Sequence, residues 1–225
     1  MVDLNFIHPS LRAAITSAHT HTTTRNRNFV ITSGLRTWTE QDELYTLGRT
    51  VSGNIVTNAR GGESLHNYGL ACDFALEEDG KLTWPDPVIS DVWSVLEEGV
   101  HHAAQDPKVP HDVDYEWGGR WHFRDAPHVQ IRATLNELRA GYYPPSSDVD
   151  WLVKAHTTFL FNTPWICRRA QKLLNDLGLE AGSVDGAWGS RSRNAVIAFQ
   201  SSRKLPVTGQ PNEATMRLLV LNTQS

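Results

Sequence analysis

The stretch GESLHNYGLACDF, residues 62–74, brings together side chains that could do chemistry. It holds His66 and, seven positions later, Asp73 among apolar residues. A carboxylate is costly to bury unless a charged or hydrogen-bonding group pairs with it. Histidine is the commonest metal ligand in proteins, and a nearby carboxylate can complete such a site. A divalent cation would therefore explain the acid in this segment.

A second stretch, RDAPHVQ at residues 124–130, supplies the further ligand that a metal site needs. His128 follows Asp125 by three residues, and Pro127 between them prevents a regular helix. We expect this pair to lie on a turn that points both side chains inward. A single His–Asp pair matches such a pattern by chance more often than it binds metal. The combination of the two stretches is what favours a metal site.

Three ordered motifs resemble those of one peptidase family. SLHNYGLACDF fits the pattern Ser-x-His-x-x-Gly-x-Ala-x-Asp-Phe, and EWGGRWHFRDAPHVQ resembles a Trp-Gly-Gly segment followed by Asp-x-Pro-His. SGLRTWTEQDELY resembles a third element, Ser-Gly-x-Arg followed by Gln and Leu-Tyr. The family comprises zinc D-alanyl-D-alanine carboxypeptidases and L-alanyl-D-glutamate endopeptidases, many of them phage endolysins. The resemblance spans residues 28–132.

The resemblance implies a role for each of six residues. As ligands of a Zn²⁺ cofactor it implies His66, Asp73 and His128. It also implies Asp125 as the general base that activates water, Arg36 as the group that binds a substrate carboxylate or carbonyl, and Ser64 as a group that holds the substrate backbone. The sequence departs from the endopeptidase pattern at Arg120 and His122, where relatives often carry Asp and a small residue.

The fold implied for residues 1–142 is α+β, an antiparallel-sheet zinc peptidase domain with flanking helices. LACDFAL, residues 70–76, alternates as a strand that puts Asp73 on one face with two small alanines. Asp112, Asp114 and Glu116 are expected to form a solvated loop, with calcium binding as the alternative. Further predicted elements are a helix from Pro9, a strand in 28–36, a helix capped by Thr39 and closed by Gly48, a turn at Asp79–Gly80, a helix over 87–105, and a closing helix in ATLNELRAG.

Residues 143–152 are predicted to be a linker, because GYYPPSSDVD at 141–150 is rich in Gly, Pro and Ser and lacks apolar periodicity. Residues 153–225 are predicted to form a small three-helix domain. Its segments AQKLLNDLG, SVDGAWGSRSRNAVIAFQ and LPVTGQPNEATMRLL resemble the three-helix peptidoglycan-binding domain. Trp188 and Arg191 are its candidate surface contacts.

Charge is divided unevenly along the chain. Residues 1–150 carry 12 Lys and Arg against 21 Asp and Glu, a net charge of −9, whereas residues 151–225 carry 9 against 4, a net charge of +5. The second module thus suits an anionic surface. A nucleic acid would be an alternative partner, but the sequence has no groove-reading motif, so bacterial peptidoglycan is the expected partner.

Together these patterns predict zinc-dependent hydrolysis of peptidoglycan stem peptides, at the L-Ala–D-Glu bond, by an endolysin-type enzyme. The alternatives are a D-Ala-D-Ala carboxypeptidase and a non-catalytic wall-binding protein; Asp125 argues against the latter, since a binder needs no base. No apolar run reaches membrane-spanning length, and the N-terminal MVDLNFIHPSLRAA shows no signal-peptide pattern. A monomer without membrane insertion is therefore expected, made in the host cytoplasm and reaching the wall after holin-type release.

Overall fold

A computed structural model of the chain describes residues 2–23, 28–78, 81–83, 98–99, 101–103, 105–109 and 112–223. The chain divides into two compact units, Met1–Arg132 and Ala133–Ser225. Within the described residues, no helix combines the length and the apolar character that crossing a membrane requires.

The first unit is an antiparallel sheet with flanking helices, which confirms the predicted α+β class. The strands run in the order β1-β2-β5-β4, and β3 pairs with β2. The elements are α1 (Pro9–Thr23), β1 (Asn28–Ser33), α2 (Trp38–Thr46), β2 (Ala71–Glu78), β3 (Lys81–Thr83), β4 (Tyr115–Trp117) and β5 (His128–Ile131).

Strand β2 lies at the centre of this sheet and is buried on both faces. Cys72, Phe74 and Leu76 fill one face, as the alternation of LACDFAL predicts. Ala71 and Ala75, on the other face, are fully buried as well. Asp73 lies between these two alanines, where their small side chains leave room around its carboxylate.

Two elements of the first unit differ from the sequence-based expectation. Thr37, and not Thr39, caps α2: its hydroxyl accepts from the Glu40 amide at 3.1 Å, and the Glu40 carboxylate accepts from the Thr37 amide at 2.7 Å. The glutamate at the third helical position completes a capping box only for Thr37. Glu116 belongs to β4 and not to a solvated loop. The predicted Asp79–Gly80 turn and most of the predicted 87–105 helix lie outside the described residues.

The second unit is helical and larger than the three predicted helices. Those three are present as α5 (Trp165–Asp176), α6 (Ser190–Ser202) and α7 (Glu213–Asn222). Two helices precede them, α3 (Leu135–Arg139) and α4 (Val149–Thr157), and α4 packs against α7. The helix α3 is the one predicted in ATLNELRAG to close the first module, but it belongs to the second unit.

The segment expected to link the modules is instead part of the helical unit. Tyr143 and Trp151 are buried, and the Tyr143 ring lies 5.6 Å from the ring of Trp165. The indole N–H of Trp165 donates to the Leu138 carbonyl at 2.6 Å, and the Arg169 guanidinium donates to the Gly141 carbonyl at 2.9 Å. The units therefore divide after residue 132 and not at 142, because the side chains of Tyr143 and Trp151 are buried within the helical unit.

This packing predicts that fragment 133–225 is more stable than fragment 150–225. The shorter fragment lacks two buried hydrogen bonds and the apolar contacts of Leu138 and Tyr143, a loss of about 2–4 kcal/mol. Its thermal midpoint, followed by circular dichroism, should fall by about 10 °C or more.

Trp165→Phe provides the matched control for this comparison. It should destabilise fragment 133–225 by about 1–2 kcal/mol, because it leaves the Leu138 carbonyl without its donor. The same substitution should cost clearly less in 150–225, where that carbonyl is absent. Equal midpoints for the two fragments would contradict the assignment of residues 133–149 to the helical unit.

Candidate metal centre

Three separate elements bring His66, Asp73 and His128 to one point. His66 lies in a 3-10 turn, Leu65–Tyr68, which ends at Gly69 with a φ of 69° just before β2 begins. A left-handed backbone of this kind favours glycine, so the sharp entry into the strand depends on it. Asp73 is on β2, and the antiparallel register places it directly opposite His128, the first residue of β5.

The three side chains form a tight triangle of ligand atoms. His66 Nε2 lies 3.2 Å from Asp73 Oδ1, His128 Nδ1 lies 3.0 Å from the same oxygen, and the two nitrogens are 3.3 Å apart. Both imidazoles are buried. Within the described part of the chain, these residues are the one cluster of His, Cys, Asp or Glu that could hold a metal ion.

Hydrogen bonds on the outer side of each imidazole fix which ring nitrogen carries the proton. His66 Nδ1 lies 2.8 Å from the Gly34 carbonyl, which can only accept, so Nδ1 donates and Nε2 keeps its lone pair. His128 Nε2 lies 2.8 Å from Gln130 Oε1 and donates to it, which leaves the lone pair on Nδ1. Both lone pairs therefore point to the inside of the triangle.

The residues present fit a divalent metal. Two imidazole lone pairs and a carboxylate oxygen converge with no proton of their own between them, an arrangement that a cation stabilises. Tetrahedral zinc with bonds of about 2.0–2.1 Å places neighbouring ligand atoms about 3.3 Å apart. The separations of 3.0–3.3 Å in the triangle agree with that spacing.

The pKa shifts of the cluster show that positive charge is favoured beside Asp73. Burial opposes ionisation of Asp73, but its contacts with the His128 and His66 rings, once those rings take up a second proton, hold the pKa of the carboxyl well below its usual range. Burial opposes protonation of His128, but the contact with Asp73 raises the pKa of the imidazole above its ordinary value. A divalent cation bound at this point would supply the positive charge that these pKa shifts favour.

Arg36, the predicted substrate-binding residue, lies against the second oxygen of Asp73. Its Nη2 is 3.5 Å from Asp73 Oδ2 and donates to Ser33 Oγ at 2.9 Å, while Nη1 donates to Gln41 Oε1 at 2.8 Å. Gln41 is fully buried and anchored by its own amide to the Ala59 carbonyl at 2.8 Å. The guanidinium is therefore held in a fixed orientation beside the ligand carboxylate.

Asp125, the predicted general base, lies near the surface in the turn before His128. Its amide donates to the Gly118 carbonyl at 3.0 Å, and a Cβ at Gly118 would stand 2.4 Å from the Asp125 carbonyl oxygen. Only glycine permits this close approach. Partial loss of solvent raises the pKa of Asp125, with the nearby charge of Asp73 adding to that shift and His128 opposing it.

Ser64, the predicted backbone-holding residue, immediately precedes the 3-10 turn that carries His66. Its amide lies 3.4 Å from Asn67 Oδ1, and its carbonyl accepts from the Asn67 amide at 3.0 Å. The structure thus brings the three candidate ligand residues, Arg36 and Asp125 into one region and places Ser64 just before the turn that carries His66.

The groups that orient the ligands were not identified from the sequence. The Gly34 carbonyl carries no side-chain signal. Gln130 and Gln41 are single polar residues that gain a role only when strand pairing and the α2 helix bring them to the site. The one available signal for Gln130 was its spacing of two from His128, which puts both on the same face of a strand.

Comparison with known proteins identified two matching family profiles and similar proteins. Residues 57–131 match the family profile described as D-alanyl-D-alanine carboxypeptidase, and residues 167–219 match the one described as putative peptidoglycan binding domain. The crystal structure of the Serratia marcescens L-Ala D-Glu endopeptidase ChiX has 27% sequence identity with this chain and covers 57% of it and 82% of its own chain, with a TM-score of 0.41.

A Bacillus subtilis protein has a higher sequence identity with this chain. The peptidoglycan L-alanyl-D-glutamate endopeptidase CwlK is 39% identical over 131 residues, which make up 56% of this chain and 73% of CwlK. His66, Asp73 and His128 all fall within the region that matches the carboxypeptidase profile. The chain therefore belongs, with CwlK, to the D-alanyl-D-alanine carboxypeptidase family of metallopeptidases.

Proposed function

We propose that this chain is a zinc-dependent L-alanyl-D-glutamate endopeptidase that hydrolyses the stem peptides of bacterial peptidoglycan. The observation that carries the proposal is the convergence of two imidazole lone pairs and one carboxylate oxygen in the triangle of His66, Asp73 and His128. The activity for which CwlK is named supports the L-Ala–D-Glu bond as the bond cleaved. The match of residues 167–219 to a peptidoglycan-binding domain supports peptidoglycan as the substrate.

Zinc is the metal that this donor set favours. Catalytic zinc sites commonly have three protein ligands drawn from His and Asp or Glu, with a fourth position left for water or substrate. The three groups here are of those types. Bound in this place, zinc would supply Lewis acidity toward the scissile carbonyl and a lowered pKa for water.

The surrounding side chains would divide the remaining work of the reaction. Asp125 takes the proton of the attacking water and passes it to the amine that leaves, a role for which its raised pKa is suited. Arg36 is fixed beside Asp73 and offers its remaining N–H groups to a substrate carbonyl. Ser64 would contact the substrate backbone next to His66.

Two further parts of the sequence-based interpretation stay predictions. They are the phage endolysin role, with release from the host cytoplasm by a holin-type partner, and the monomeric state. Lysis of a producing culture only when a holin is co-expressed would test the first, and sedimentation analysis would test the second.

Replacing any one of the three ligand residues should remove the metal. His66→Ala, Asp73→Ala and His128→Ala each leave two protein ligands, so zinc measured by elemental analysis after dialysis should be lost and activity should fall by roughly a hundredfold or more. His101→Ala, at an exposed histidine outside the triangle, is the matched control and should keep both. Full zinc content in any of the three variants would remove that residue from the site.

Asp125→Asn should separate metal binding from catalysis. The amide cannot accept the proton of water, so turnover should decrease by roughly a hundredfold or more while zinc content stays stoichiometric. Asp114→Asn, at an exposed aspartate of the same unit, serves as the control for a generic loss of charge. Turnover of Asp125→Asn close to that of the parent would exclude Asp125 as the base.

The bond itself can be identified from the products. Digestion of purified peptidoglycan should create new D-Glu amino termini and leave L-Ala on the muramic acid, as detected by mass spectrometry after amino-terminal labelling. The match of residues 57–131 to the carboxypeptidase profile favours a second candidate, a D-Ala-D-Ala carboxypeptidase. Release of free D-alanine with otherwise intact stem peptides would establish that candidate in place of the endopeptidase.

A further inference from the structure

The imidazole of His128 is enclosed by a ring of polar contacts that the metal triangle does not account for. Gln130 Nε2 donates to Glu116 Oε2 at 3.2 Å, and Trp121 Nε1 donates to Glu116 Oε1 at 2.7 Å. The ring closes because the Trp121 indole lies against the His128 imidazole, with centroids 5.3 Å apart. We call this series of contacts, from Trp121 through Glu116 and Gln130 to His128, the Glu116 relay.

Strand pairing puts three members of the relay, His128, Gln130 and Glu116, on one face of the sheet. His128 and Gln130 are two residues apart on β5, so their side chains point to the same side. Glu116 of β4 is paired directly with Gln130, which brings the two side chains within contact across the strands. The relay is thus a consequence of register, and a shift of one residue would dissolve it.

Each contact in the relay allows only one direction of donation. The Trp121 N–H can only donate, and the Glu116 carboxylate can only accept, so Gln130 must turn its NH₂ group toward Glu116. The amide oxygen of Gln130 then faces His128 Nε2, which must donate to it. The lone pair of His128 is left on Nδ1, the atom that faces Asp73 and His66.

We propose that Glu116 is a positioning residue that, through Gln130, sets the tautomer of His128 and so aims its Nδ1 lone pair at the metal. This inference rests on the proposed function in one respect, the assignment of His128 as a ligand. Outer-shell partners of metal-bound histidines typically control affinity by 10–100-fold.

The two histidines of the triangle differ in how they are controlled. His66 donates to a backbone carbonyl, that of Gly34, whose polarity no substitution can reverse. His128 depends on an amide side chain, which can be turned over by its neighbour. Glu116 is therefore a residue at which a change of one atom, O to NH₂, alters the site without touching a ligand.

The test is a pair of variants, Glu116→Gln alone and Glu116→Gln with Gln130→Glu. In the single variant, the amide oxygen at 116 stays with the Trp121 N–H, so its NH₂ group faces Gln130. Gln130 must then turn over and offer its own NH₂ group to His128, which shifts the imidazole proton to Nδ1. The double variant exchanges the two groups and restores every donor and acceptor, because the carboxylate introduced at position 130 accepts from both His128 and the amide at 116.

Two readouts distinguish a role in tautomer control from a merely structural one. Long-range ¹H–¹⁵N correlation NMR on the metal-free protein at alkaline pH reports the proton position on His128. Competition with a chromophoric chelator gives the Kd for zinc. Glu116→Gln should carry the proton on Nδ1 and bind zinc about 10–100-fold more weakly. The double variant should return the proton to Nε2 and bind within about threefold of the parent or more tightly.

Controls keep failure of this inference separate from failure of the proposed function. Glu43→Gln, on α2, controls for loss of one negative charge, and thermal unfolding shows that all variants are folded. The inference is overturned if Glu116→Gln keeps the parental tautomer and zinc affinity, or if the double variant binds no better than the single one. If His128→Ala keeps stoichiometric zinc, the ligand assignment fails, and the proposed function fails with it. That conclusion does not depend on the His128 tautomer measured in the other variants.

Discussion

The convergence of Asp73 Oδ1 with one ring nitrogen of His66 and one of His128 is the constraint on which the candidate metal centre depends. Both strands that flank β2 meet it at this residue: Ser33 of β1 is paired with Asp73 on one side and His128 of β5 on the other. The pairing at Asp73 thus fixes the position of this candidate ligand and of His128 opposite it. It also fixes the end of β1, which leads to the Gly34 carbonyl. A slip of a single residue in either pairing would turn Asp73 away from its partners.

The irregularity in β1 contributes to the same constraint. The register shifts between Ile31 and Ser33, where one residue is extra, and the strand ends directly after it. Such a bulge bends the strand and redirects the chain beyond it. Here the next residue is Gly34, whose carbonyl orients His66, and the hydrogen-bonded Arg36 comes two residues later. The bulge is therefore followed closely by the backbone acceptor that orients His66 and by the cation that contacts Asp73.

Sequence reasoning singled out His66, Asp73 and His128 as candidate ligands because their residue types and spacing are unusual, and the structure brings the three together. It found β2 because its alternation is regular. It assigned no positioning role to Gln130, Glu116 or Gln41, although Gln41 belongs to one of the quoted motifs. A lone amide or acid has no local signature of such a role and acquires its partner only through tertiary pairing. The domain division was misplaced for a related reason. Composition alone describes GYYPPSSDVD as a linker, whereas Tyr143 and Trp151 are buried in the helical unit, a fact that depends on residues more than ten positions away.

The hydrogen bonds already made by the Arg36 guanidinium bear on which kind of peptide bond such a site can cleave. A guanidinium binds a carboxylate best through two parallel N–H groups. Within the described residues, Nη1 of Arg36 is bonded to Gln41, and Nη2 is shared between Ser33 and Asp73. The contact with Asp73 is made to Oδ2, while Oδ1 faces the two imidazoles. A fork already committed in this way is poorly placed to take a terminal carboxylate, yet one remaining N–H suffices for a carbonyl oxygen. The hydrogen bonds that fix Arg36 thus suit a carbonyl oxygen better than a terminal carboxylate, in keeping with the proposed cleavage of an internal peptide bond.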